Sequence, residues 1–141
     1  MSDSAANPAP GFAKHPGYEV KLEPVAQMMT VELAGREIAR SNNAVLLTET
    51  KHRPVWYMPL ADVDAQFITA TDTQTYCPFK GHASYWSVSV DGQHAEDAIW
   101  AYMDPYDECL DIQGYASFYT NKVDLKLDGT LMNKDGPGWT E

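Results

Sequence analysis

Apolar and polar residues alternate in short runs along most of the chain, and turn-forming residues separate the runs. That pattern predicts strands rather than helices. MTVELAGREIARS, Met29 to Ser41, places Val31 and Leu33 before Ala34-Gly35-Arg36 and Ile38 on the return, as a hairpin requires. NAVLLTET and RPVWYMP are further strand-like runs; Lys51-His52-Arg53-Pro54 breaks them, because Pro54 cannot donate to an interior ladder. PLADVDAQFI is more helical, with Asp62 as its N-cap and Leu60, Val63 and Phe67 at near-helical spacing. DECLDI predicts a turn of helix between Pro105 and Gly114, and YASFYTNKVDLKLDG one or two closing strands. The sum is a mainly β domain of roughly seven to nine short antiparallel strands with one or two short helices.

The 141 residues suit one domain with one core. Residues 1–16, rich in Ala, Pro and Ser, are expected as a flexible tail. Residues 17–129 form the domain and 130–141 a C-terminal extension. With 10 basic against 20 acidic residues the formal charge is −10, a mean field that repels phosphate backbones and anionic headgroups. Neither nucleic acid nor a membrane surface is expected as a partner. No apolar run approaches the roughly 20 residues of a membrane-spanning helix, and the N-terminus lacks an export signal, so a cytoplasmic location is expected. Cys77 and Cys109, the two cysteines of the chain, are expected as reduced thiols rather than a disulfide.

One stretch carries more chemistry than the rest. In TYCPFKGHASYWSVSVDGQ, Pro78 fits the second position of a β-turn over Cys77-Pro78-Phe79-Lys80, and Gly81 permits a positive φ. Such a turn holds the Cα atoms of Cys77 and Lys80 within about 7 Å. An ammonium close to a thiol favours the thiolate, so the pair is either a tuned nucleophile or a cation and a soft contact facing a ligand. The plain alternative is a well-made turn with a small buried thiol and a solvated lysine. In the following strand Ala83, Tyr85, Ser87 and Ser89 share one face and Ser84, Trp86, Val88 and Val90 the other. Both faces carry a large ring, so core covers at least one of them. Asp91-Gly92 is a favoured tight turn.

The runs LLTETKHRPVWYMPLADV, TYCPFKGHASYWSV, AIWAYMDP and IQGYASFY together resemble the hallmark blocks of the DUF427 family, also labelled NTP_transf_9 and nucleotidyltransferase-like. The resemblance spans roughly Met29 to Gly129. It rests on Glu49; on Tyr57, Pro59 and Asp62; on Cys77-Pro78-x-Lys80-Gly81-x-Ala83-x-Tyr85-Trp86; and on Trp100, Tyr102, Pro105, Tyr115, Phe118 and Tyr119. It implies a strongly curved antiparallel sheet of the β-tent kind and supplies no known reaction. β-tent proteins often hold zinc through two C-x-x-C pairs, which this sequence lacks, so no metal or cofactor is expected. His52, His82 and His94 could serve as ligands only if the fold gathers them. Nucleotidyl transfer needs paired carboxylates and a small-residue loop approaching the triphosphate. Asp62-x-Asp64 offers the first, but no Gly-Ser element precedes it, and a solvated turn start explains the same residues.

The blocks combine a carboxylate (Glu49), a thiol (Cys77), a cation (Lys80) and the rings of Tyr57, Tyr85, Trp86, Trp100 and Tyr102. This is the inventory of a pocket for a planar, partly polar small molecule. Most of the rings are expected to pack in the core and two or three to face a ligand. Glu49, at a strand end, pairs either with Lys51 or Arg53 at the surface or with Lys80 in the pocket, where each charge would compensate the other. The leading expectation is a binder of a small heteroaromatic ligand. The alternatives are an enzyme using Lys80 or Glu49 in acid–base work or Cys77 as nucleophile, and a protein-interaction domain; a homodimer is compatible with the sequence.

Overall fold

A computed structural model describes residues 6–132; the expected C-terminal extension lies outside them from residue 133 on. Seven strands form one sheet and four another, and every pairing is antiparallel. In chain order they are β1 (Val20–Pro24), β2 (Met29–Leu33), β3 (Arg36–Ser41), β4 (Val45–Glu49), β5 (Val55–Pro59), β6 (Ile68–Cys77), β7 (Gly81–Val90), β8 (Gln93–Ala101), β9 (Tyr115–Phe118), β10 (Asp124–Leu127) and β11 (Thr130–Leu131). The large sheet runs β1-β4-β5-β9-β8-β7-β6 and the small one β11-β10-β2-β3. The mainly β architecture expected from the sequence is the one observed, with more strands than anticipated.

Turn chemistry sets the hairpins. Ala34 and Gly35 (φ 54° and 76°) join β2 to β3, and Asp91 and Gly92 (φ 46° and 84°) join β7 to β8. Two successive positive φ values match the right-handed twist of the flanking strands. The PLADVDAQFI segment is helical for two turns, as expected, but the turns are separate and of the tighter 3-10 kind. It forms two single-turn 3-10 helices, Leu60–Asp62 and Ala65–Phe67. Asp64, not Asp62, is the capping residue, its carboxylate accepting from the Gln66 amide nitrogens. Those bonds hold the Asp64 carboxyl below its usual range.

Apolar positions of period two divide between two clusters. Met29, Val31 and Leu125 of the small sheet meet Met58, Val88, Ile99 and Phe118 of the large one. The opposite faces of the same large-sheet strands carry Tyr57, Tyr85 and Trp100, which gather with Leu47, Val55 and Tyr102. The 3-10 helix Asp107–Ile112, the DECLDI turn expected from the sequence, covers this second cluster with Cys109 and Ile112. The second cluster is where the candidate site opens.

The N-terminal stretch expected as a tail makes defined contacts from residue 7 onward. Asn7 and Asp107 exchange backbone and side-chain hydrogen bonds, Ala9 N–H donates to Glu108, and Ala9 is buried. The short helix α1 (Gly11–Lys14) follows, with Gly11 N–H donating to Pro78 O at 2.9 Å. A Cβ at Gly11 would lie 2.7 Å from the Phe79 ring and 3.0 Å from Pro78 O, so a glycine is needed for this approach. The segment straps over the 77–80 turn and then enters β1.

Candidate functional site

The turn at Cys77–Lys80 is closed by Lys80 N–H donating to Cys77 O at 3.2 Å. On its far side, Tyr106 N–H donates to Lys80 O at 2.9 Å and Gly81 adopts φ 121°. Fixed at both ends, the turn sends the Lys80 side chain inward to the end of β4. There Nζ donates to Glu49 Oε1 at 2.8 Å and Oε2 at 3.0 Å, with both side chains 8% exposed. Lys80 Nζ also lies 3.8 Å from Cys77 Sγ. The buried pairing of Glu49 with Lys80 is therefore the arrangement present, of the two the sequence left open.

Around this pair a cavity of about 360 Å³ opens. Of the residues singled out from the sequence, Glu49, Cys77, Lys80, Tyr57, Tyr85, Trp100 and Tyr102 line it. Trp86 does not; it is half-buried on the opposite face of β7, against the core between the sheets. Period two dictates this, since Tyr85 and Trp86 are adjacent in a strand and cannot share a face.

Sequence reasoning missed Tyr18, Phe79 and Tyr119. Tyr18 donates a hydrogen bond to Glu49 Oε2 and stacks on Phe79, with ring centroids 3.9 Å apart and planes 14° from parallel. Phe12 meets the same Phe79 edge-on at 5.0 Å. Tyr119 lies 4.6 Å from Trp100. Tyr18 and Phe79 come together because β1 pairs with β4 and the strap before it bonds Pro78, long-range events that no local pattern announces. His52 and Arg53 complete the mouth.

The phenols are held in their neutral form. Burial raises Tyr57, Tyr102 and Tyr119 well above the usual tyrosine value. Tyr18 is raised too, by burial first and then by its bond to Glu49. Trp100 Nε1–H donates to the Tyr57 hydroxyl at 3.2 Å, and Tyr85 and Thr75 hydroxyls are 2.9 Å apart.

The two thiols differ. Cys109 is fully buried, and burial pushes its thiol up to about 11 from a usual 9.0 despite the opposing pull of Lys80. Cys77 lies partly exposed in the cavity wall. Thiol alkylation of the native protein at pH 8 is thus expected to modify Cys77 and spare Cys109 until denaturant is added. Since the unfolded Cys109 thiol ionises near 9 and the folded one near 11, its contribution to stability falls as pH rises through that window. Equal native labelling of both thiols would contradict this.

The metal and transferase options can be placed on the same map. His94 hydrogen-bonds Ser89, His82 packs beside Tyr76, and His52 faces the Tyr18 ring, so the three histidines are dispersed. Among the described residues no three His, Cys, Asp or Glu side chains gather to hold an ion. Asp62 and Asp64 lie at the small sheet's margin near Glu37 and Arg40, not in the aromatic cavity. No described helix is long and apolar enough to cross a membrane.

A family model described as NTP_transf_9, a domain of unknown function (DUF427), matches residues 21–129. The chain belongs to the DUF427 family. The match begins within β1 and ends after β10, so the DUF427 region contains the Glu49–Lys80 pair and every cavity wall except Tyr18. In this DUF427 protein Tyr18 and Phe12, which cover Phe79, come from outside the matched region. A search of curated proteins finds no match.

Proposed function

We propose that the cavity binds a small planar organic molecule between its aromatic walls, with Glu49 and Lys80 fixing the orientation of the ligand's polar edge. One observation carries the reading: an ion pair 8% exposed on both sides is set into a wall of tyrosine and tryptophan rings. Two charges withdrawn from water are costly to maintain. A volume of about 360 Å³ with aromatic lining and a few convergent polar groups is the usual form of a small-molecule site. The Lys80 to Cys77 approach of 3.8 Å favours, as a second reading, chemistry at that thiol in the same cavity.

The test is a thermal-unfolding panel of nucleosides, pterins and other heteroaromatic compounds, with and without divalent metal. A ligand at 100 times its Kd adds about 2.7 kcal/mol to stability. A binding compound is expected to quench tryptophan emission through Trp100. Trp100→Phe should abolish the quench, whereas Trp86→Phe, on the other face, should leave it. No midpoint shift across the panel, or quenching that survives Trp100→Phe, would overturn the reading.

A further inference from the structure

The cavity has five tyrosines in its lining, and two of them are already engaged, Tyr18 donating to Glu49 and Tyr85 bonding Thr75. Tyr119, packed on Trp100, is only half-buried. Tyr57 and Tyr102 differ. The Tyr57 oxygen receives the Trp100 indole N–H, but its own proton has no acceptor among the described residues. The Tyr102 hydroxyl has no side-chain or backbone partner among them at all. Tyr57 is 1% exposed and Tyr102 8%. A buried hydroxyl without an acceptor costs about 1–3 kcal/mol, so two in one cavity wall call for an explanation.

We infer that the ligand presents a hydrogen-bond acceptor, a carbonyl or carboxylate oxygen, to the Tyr57 and Tyr102 hydroxyls, and that the cavity discriminates against ligands whose buried end is a cation. This deepens the proposed binding function and rests on it. The two phenols stay protonated because burial disfavours the phenolate, so they offer a ligand ammonium no counter-charge. Glu49 is the one carboxylate among the described residues lining the cavity, set against the cations of Lys80 and Arg53. Both of its oxygens accept from Lys80, and Oε2 accepts from Tyr18 as well. A cationic ligand would compete with Lys80 for Glu49 and meet that ammonium as a like charge out of water.

The discriminating experiment uses four probes on one bicyclic scaffold: indole-3-acetate, indole-3-acetamide, tryptamine and 3-ethylindole, titrated into the full chain by calorimetry. The acetate and the acetamide are expected to bind at least tenfold tighter than tryptamine and 3-ethylindole. The acetate-to-acetamide ratio reports whether a carboxylate or a neutral carbonyl fits better. Tyr102→Phe should weaken the two oxygen-bearing probes about 2- to 12-fold, the range of one hydrogen bond, without altering 3-ethylindole. Tyr57→Phe serves as the second variant should Tyr102→Phe unfold more readily than the parent chain. Tightest binding by tryptamine, or equal affinity of all four probes, would overturn the inference while leaving the binding function intact. Failure of every probe, the apolar one included, would remove both.

Discussion

Lys80→Met is expected to lower folding stability by about 3–5 kcal/mol, because it leaves the Glu49 carboxylate buried without a cation. Among the described residues Tyr18 would still donate to it. The double replacement of Glu49 by Gln and Lys80 by Met should recover much of that loss, since the pair's attraction and its desolvation cost disappear together. Urea unfolding of the two single variants and the double gives the coupling energy directly. A Lys80→Met cost below about 1 kcal/mol, the level of a solvent-exposed pair, would show that water reaches Glu49 and Lys80. The result bears on function as well. Binding losses in the single variants must be read beside their stability, and the double variant separates the two.

The second large effect is expected at Phe118, which is fully buried in the core between the sheets. Phe118→Ala should cost about 3–5 kcal/mol through lost burial and the cavity left behind. Phe118 ends β9, the strand that joins β5 to β8 in the large sheet. Its neighbour Ser117 strengthens that junction by donating to Trp56 O at 2.8 Å. Tyr57 on β5 and Trp100 on β8 face the cavity from either side of β9, so loosening the junction should also weaken ligand binding. Chemical unfolding with Trp100 emission as a probe reads both. A cost near that of a surface substitution, within about 0.5 kcal/mol, would contradict the packing described.

Local chemistry in the sequence accounts for much of this architecture. Ala34-Gly35, Asp91-Gly92 and the Cys77-to-Lys80 turn were legible because their residues favour specific backbone angles. The two faces of β7 were legible from period two. β6 was not read as a strand, because Thr69 to Tyr76 lie at a sheet edge and are largely exposed, leaving no alternation to read. Its ladder is interrupted between Ala70 and Gln74. There, Thr71 and Thr73 each donate to the Asp97 carboxylate at 2.6 Å, and Asp97 itself sits at φ 50°. Asp62 and Asp64 both suit a cap by residue type, and the tight 3-10 turn at Ala65–Phe67 selects Asp64. In the site, the family blocks marked most of the walls. Tyr18 and Phe79 stayed hidden, since neither residue type nor spacing reveals which strand a distant segment joins.

The small sheet has a further consequence during synthesis. Asp128 accepts from Met28 N–H across 100 positions of sequence, and β10 pairs with β2 beside it. At about 5–20 residues per second, Met29 and Val31 leave the ribosome roughly 5–20 s before Leu125 and Leu127 arrive to cover them. The nascent chain holds the β2–β3 hairpin with one edge and one apolar face open until β10 has been made. Completion of the small sheet awaits β10 and β11, and until then the exposed hairpin is open to chaperones and to self-association.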